Sequence, residues 1–250
     1  MSRWNTSAKA VIRKDMFKVA KQFSKRSKTP TVSKCAFMVP AEDCLCVKAA
    51  MKDGRINQDT FIVAIEQESE TVGKIEDSLR SLGIKRFDIM NRSFLTLSKR
   101  FIRNVAAKVP EIDFMYLDFC GTYCPSILKS FRMMVDHYMI AESAPIAYTA
   151  QLTDRNLMWG NYYNRNRPYY RFCDMEEQQR RAESLTDHFL DRICDDFMGE
   201  KYAVTYGRVY KNSLHASPMI TFMTQPQKRL RVIKEESGSR NSYNMGYVGY

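Results

Sequence analysis

The chain has 250 residues, 44% hydrophobic and 27% charged, with a formal net charge of +11; that length supports one large domain with its own core. No run approaches the roughly 20 apolar residues of a membrane-spanning helix. The first residues also lack the apolar stretch and cleavage site of a secretory signal, so the reading is of a soluble protein of the reducing cytoplasm. Seven cysteines and three histidines fall in no disulfide framework and no zinc-finger spacing, so no metal site is predicted.

The charge is uneven. Residues 1–34 hold ten Lys/Arg against Asp15 alone, and residues 225–250 hold five against Glu235 and Glu236, which leaves residues 35–224 at −1. A near-neutral middle with basic ends predicts a polyanionic partner, DNA or RNA. The pattern divides the chain into a basic amphipathic extension (1–33), a globular domain (34–225) and a basic, flexible tail (226–250). The extension and the tail are also candidate contacts for a protein partner.

Residues 7–26 read as a helix with Ile12, Met16, Val19 and Phe23 on an apolar stripe. Lys14, Lys18, Lys21 and Lys25 form a basic stripe beside it. Such a helix suits a phosphate backbone, an acidic membrane surface, or docking on its own core. From residue 34, short apolar runs alternate with helical segments, as in a parallel sheet built from βαβ units. Strands are predicted at 35–39, 61–66, 86–90, 113–118 and 145–151. Helices are predicted near 42–52, 70–82, 94–108 and 126–139, the second ending at Gly83 as helices commonly end at glycine.

Residues 153–172 interrupt the alternation with Arg155, Trp159, Tyr162, Tyr163, Arg165, Arg167, Tyr169, Tyr170 and Arg171. Cations hold phosphates while rings stack on bases, so Arg155, Trp159, Tyr163, Arg165 and Arg167 are candidate nucleic-acid contacts; a packed flap or protein interface would use the same residues. A polar helix follows over about 174–197. Two strand-like segments, 202–210 and 218–224, then read as an antiparallel pair.

Five βα units, a helix and a terminal strand pair resemble the class I S-adenosylmethionine-dependent methyltransferases over about residues 34–225. The resemblance implies a Rossmann-like fold: a mostly parallel seven-stranded sheet with helices on both faces and a C-terminal antiparallel hairpin. It also implies S-adenosylmethionine as cofactor. Glu66, ending the second apolar run, matches the family's acidic ligand of the cofactor ribose, a role with a counterpart in dinucleotide folds. Asp88, with Asn91-Arg92-Ser93 after it, matches the adenine-reading position; Asn91 or Ser93 as a helix N-cap is the alternative.

The segment Tyr116-Leu-Asp-Phe-Cys-Gly-Thr122 resembles the fourth motif of the amino-methyltransferases, including its Asp-Pro-Phe-Gly-Ser form. By that likeness Asp118 ends a strand and orients an exocyclic amine, and Phe119 stacks on the target base. No proline follows Asp118, a departure from the family pattern. Cys120 lacks the preceding proline of a cytosine nucleophile. The first motif departs further: Val39-Pro40-Ala41-Glu42-Asp43-Cys44 contains none of the family's glycines. Either Pro40 and Ala41 make a different turn with Glu42 or Asp43 near the methionine amine, or cofactor binding is lost. The implied activity is methyl transfer to a nucleic-acid base; the alternative is an inactive scaffold that binds nucleic acid or serves as an accessory subunit.

Overall fold

The computed structural model describes residues 7–26, 32–122, 125–141, 144–151, 175–189, 202–210, 219–226 and 246–248. A helix, α1 (Ser7–Arg26), precedes β1 (Cys35–Met38), α2 (Leu45–Lys52), β2 (Phe61–Glu66), α3 (Ser69–Ser81) and β3 (Phe87–Asn91). A 3-10 turn (Phe94–Thr96) leads to α4 (Lys99–Ala106), β4 (Phe114–Thr122), α5 (Pro125–Asp136) and β5 (Ile146–Gln151). The chain continues with α6 (Met175–Phe189), β6 (Tyr202–Tyr210), β7 (Met219–Pro226) and β8 (Gly246–Val248).

One sheet collects all eight strands in the order β3-β2-β1-β4-β5-β7-β6-β8. β7 is antiparallel to both β5 and β6, and every other neighbouring pair is parallel. The direction of chain travel reverses between β1 and β4, the switch point where open α/β sheets place their ligands. The first seven strands form the Rossmann-like arrangement of the class I methyltransferases. β8 adds a short parallel strand on β6, with Val209 opposite Tyr247, so residues 246–248 of the tail pair with the sheet.

The central strands are buried on both faces, which accounts for their unbroken apolar runs. On one face Ile102 and Val105 of α4, Ile127, Phe131 and Met134 of α5, and Ala182, Leu185 and Phe189 of α6 pack on Phe37, Val63, Met115, Leu117 and Tyr148. On the other, Ile12, Met16 and Phe17 of α1, Val47 and Ala50 of α2, and Ile75 and Leu79 of α3 pack on Ala36, Met38, Ala64, Phe114 and Tyr116. Met16 and Phe17 are fully buried and Ile12 nearly so; each contributes about 1.5–3 kcal/mol of burial. α1 is therefore part of the core, and Tyr206 reinforces it by donating its hydroxyl to the Ile12 carbonyl at 3.4 Å.

Three of the boundaries that differ from the sequence reading have a local cause. The helix predicted over 94–108 is a 3-10 turn followed by α4, because Ser93 and Ser98 each cap a new start, accepting from Leu95 N and Phe101 N at 3.3 Å. The helix predicted from residue 42 begins at Leu45, after a turn closed by Cys44 N donating to Ala41 O at 2.9 Å. β4 does not end at Asp118. It runs on to Thr122, since pairing with β5 resumes at Thr122–Gln151 after a register irregularity that begins at Asp118–Thr149.

Candidate active site

Register places two carboxylates at one level. Met38, the last residue of β1, pairs with Ala64 on β2 and with Tyr116 on β4. Glu66 and Asp118 each lie two residues further along. They therefore flank the carboxyl end of β1 at the switch point, two strand spacings or about 10 Å apart. Strand alternation directs both to the face covered by α1, α2 and α3.

Glu66 is half-buried. Its Oε1 accepts the Glu68 N–H at 2.9 Å, and among the described residues its Oε2 has no hydrogen bond. Asn91, paired with Glu66 across the strands, donates Nδ2 to the Glu66 carbonyl at 3.1 Å and accepts from Ser69 Oγ at 2.9 Å. Asp88 stands one residue inside β3, opposite Val63, three positions short of that edge. It is Asn91 that occupies the strand end.

The β1–α2 turn reaches a left-handed conformation without glycine: Cys44 has φ 47° and ψ 36°, a region that costs a non-glycine residue about 1 kcal/mol or more. Its thiol is buried, lies 3.9 Å from the Ile75 carbonyl, and is pushed up to about 12 by that burial and by Asp43. No side chain caps the start of α2 and no acid stands in its first turn. Its leading N–H groups are thus presented at the switch point, a polarity that favours an anionic group. Pro40 is buried, and Glu42 is drawn toward α3 by Lys74, whose Nζ sits 2.9 Å from Oε2.

Asp118 is in a different state. Lys9 Nζ lies 3.0 Å from Oδ1 and Arg13 Nη2 lies 3.4 Å from Oδ2, with the Asp118 side chain 11% exposed. Burial by itself would raise this carboxyl, but the charges and hydrogen bonds of Lys9 and Arg13 outweigh it and hold the carboxyl below the ordinary range. Burial likewise opposes the Arg13 charge; Tyr116 and Asp118 overcome it and keep the guanidinium charged. Cys46, fully enclosed beside this cluster, is pushed far up by burial and is an inert thiol. Lys9 and Arg13 were read from sequence only as part of the basic excess. They are spaced four apart on the same side of α1 as Ile12 and Met16, and cations on an apolar stripe call for a buried acid.

Phe119 points to the opposite face. Its ring packs 5.2 Å from Phe94 and 5.8 Å from Tyr148, in the aromatic cluster under α5 and α6. The side chain after Asp118 must alternate to the other side of the strand, so the ring expected to stack on a base lies in this cluster. Lys14, Lys18 and Lys21 are exposed on α1; the side chain of Lys25 and the residues Arg155, Trp159, Tyr163, Arg165 and Arg167 lie outside the described residues. Among the described residues, no three His, Cys, Asp or Glu gather to hold a metal ion, and no helix is long and apolar enough to cross a membrane.

Neither the protein-family models nor the curated proteins give a match to this sequence. Solved structures do. An O-methyltransferase from Bacillus cereus in complex with SAH is similar over 88% of this chain and 82% of its own, with a TM-score of 0.51 and 8% identity. A putative O-methyltransferase from Klebsiella pneumoniae covers 85% and 80% at a TM-score of 0.49 and 8% identity. The TYW2 protein of P. horikoshii, in complex with MeSAdo, covers 82% of this chain, which spans 61% of that one, at a TM-score of 0.45 and 9% identity. Strand order, the single reversed strand and the first of these likenesses together establish that the chain has the fold of the class I S-adenosylmethionine-dependent methyltransferases.

Proposed function

We propose that this protein transfers the methyl group of S-adenosylmethionine to an exocyclic amine of a nucleic-acid base. The observation that carries the reading is the pair of carboxylates, Glu66 and Asp118, level with each other on either side of the end of β1. Two further features suit the cofactor. Glu66 has an oxygen without a hydrogen-bond partner among the described residues, as a ribose diol requires of its acceptor. The uncapped first turn of α2, entered through the left-handed Cys44, offers N–H groups to a carboxylate.

The chemistry supplied by S-adenosylmethionine is an electrophilic methyl group on a sulfonium. The residues of this chain hold and orient. Glu66 would accept the ribose hydroxyls, with Asn91 fixing the β2 end through its bond to the Glu66 carbonyl. Asp118 would accept an N–H of the substrate amine and so direct the lone pair. A carboxylate has about four acceptor sites, and Lys9 and Arg13 use two of them. With its pKa held low, Asp118 serves as an orienting acceptor and is too weak a base to retain the proton, which the methylated amine would release to water. Most of the rate gain in such a site comes from positioning.

A second reading, a catalytically silent scaffold serving a nucleic-acid-processing complex through α1 or the C-terminal tail, is favoured by the same Asp118, nine-tenths enclosed with a cation on each oxygen. Incubation with methyl-labelled S-adenosylmethionine and pools of single-stranded DNA, duplex DNA and RNA separates the two. Label entering a nucleic acid with wild type and not with Glu66→Ala supports methyl transfer. No label in any pool, from protein that binds the cofactor, would overturn the base as target.

A further inference from the structure

α1 has two chemically distinct sides. Its inner side is used up: Ile12, Met16 and Phe17 are in the core and Lys9 and Arg13 engage Asp118. Its outer side exposes Lys14, Lys18 and Lys21, a row rising about 10 Å along the helix. α2 packs beside α1 and exposes Lys48 and Lys52, one turn apart. The two rows adjoin at the α2 end, where Lys21 Nζ comes within 4.0 Å of the Cβ position of Gly54. None of these five lysines makes an ion pair among the described residues, whereas the exposed Lys74, Arg80 and Lys85 are paired with Glu42, Glu76 and Asp59. On the same face of the sheet, α3 and its entry expose Glu68, Glu70 and Asp77, so the cationic track has an acidic border.

We infer that the α1–α2 lysine rows form a docking track for the phosphate backbone of a nucleic acid, leading along α1 to the carboxyl edge of the sheet at Asp118. This rests on the proposed methyl transfer for what happens at that edge, and on charge alone for the docking. Two alternatives are disfavoured by observation. An interfacial membrane helix must present an apolar face to the bilayer; here Ile12, Met16 and Phe17 are buried, and among the described residues Val11, 38% exposed, is the one large apolar side chain exposed on α1. α4 is also cationic, with Arg100, Arg103 and Lys108 in or just after it exposed. It covers the opposite face of the sheet from the one to which Glu66 and Asp118 are directed.

The test compares charge reversals on the two faces of the full chain, using a fluorescently labelled 20-nucleotide oligo(dT) and its RNA counterpart at several salt concentrations. Lys14→Glu/Lys18→Glu/Lys52→Glu should weaken binding at least tenfold at low salt, and Arg100→Glu/Arg103→Glu/Lys108→Glu less than threefold. The neutral set Lys14→Gln/Lys18→Gln/Lys21→Gln, which keeps side-chain length, should lower the salt slope by about 2, at about 0.7 per lost phosphate contact. Equal losses on both faces, a larger loss on α4, or binding of phosphatidylserine vesicles without binding of either oligonucleotide would overturn the track. S-adenosylhomocysteine binding should be unchanged in all three variants; its absence from wild type, with the oligonucleotide pattern intact, would remove the methyl-transfer reading and leave the track standing.

Discussion

The two carboxylates at the end of β1 are equivalent in register and opposite in circumstance. Glu66 is half-exposed, tied by one oxygen to the backbone of its own turn. Asp118 is enclosed by two cations from a helix more than a hundred residues earlier in the chain. A carboxylate held by a neighbouring N–H can exchange that state for a ligand at little expense. One held in a buried ionic cluster is part of the fold, because removing one partner strands the others without compensation. The same acidic residue type at the same height in the sheet is thus loosely held on one side and fixed in orientation by buried cations on the other, and α1 makes the difference.

That contrast can be broken first at Asp118. Asp118→Ala leaves Lys9 and Arg13 buried without their acid and should lower stability by about 3–5 kcal/mol, read by urea denaturation, whereas Glu66→Ala should change it by less than about 1 kcal/mol. Similar losses at the two sites would erase the distinction. Phe119→Ala comes next, at about 2–3 kcal/mol for a ring packed on Phe94 and Tyr148; a change confined to nucleic-acid binding would return Phe119 to a stacking role.

The acid limb of stability sharpens the same point. The Asp118 carboxyl is lower in the folded chain than its ordinary 3.8, so its contribution is present above about pH 4 and is lost as pH falls through the folded value. Thermal melts from pH 6 down to 2 should show a shallower loss for Asp118→Asn than for wild type. The smallest effect is expected at Cys44→Gly, within about 1 kcal/mol of wild type. Relief of the left-handed backbone offsets the loss of a buried thiol. A loss of several kcal/mol there would mean the turn depends on the thiol and does not merely tolerate it.

Much of the fold was legible because buried parallel strands write themselves as short apolar runs. β2 and β6 have the bounds that their sequences predict, and α1 was outlined by its stripe. What escaped was decided by contacts between distant segments. β4 outruns Asp118 because β5 continues to pair with it, and two serines divide what periodicity joins into one helix. At the site, Glu66 and the level of Asp118 followed from strand order. The clamp on Asp118 did not, since Lys9 and Arg13 looked like two more cations in a basic segment. Their position on the apolar side of α1, with a single acid among the apolar residues of β4, was the available signal.

The central proposal is that Glu66 holds the cofactor at the end of β1 while Asp118 is fixed in place by α1. Calorimetric titration of wild type, Glu66→Ala and Asp118→Asn with S-adenosylhomocysteine tests it most directly. The account predicts micromolar binding to wild type, its loss in Glu66→Ala, and its retention in Asp118→Asn so long as that variant is folded. No heat from cooperatively folded wild type, or binding that survives Glu66→Ala unchanged, would contradict it.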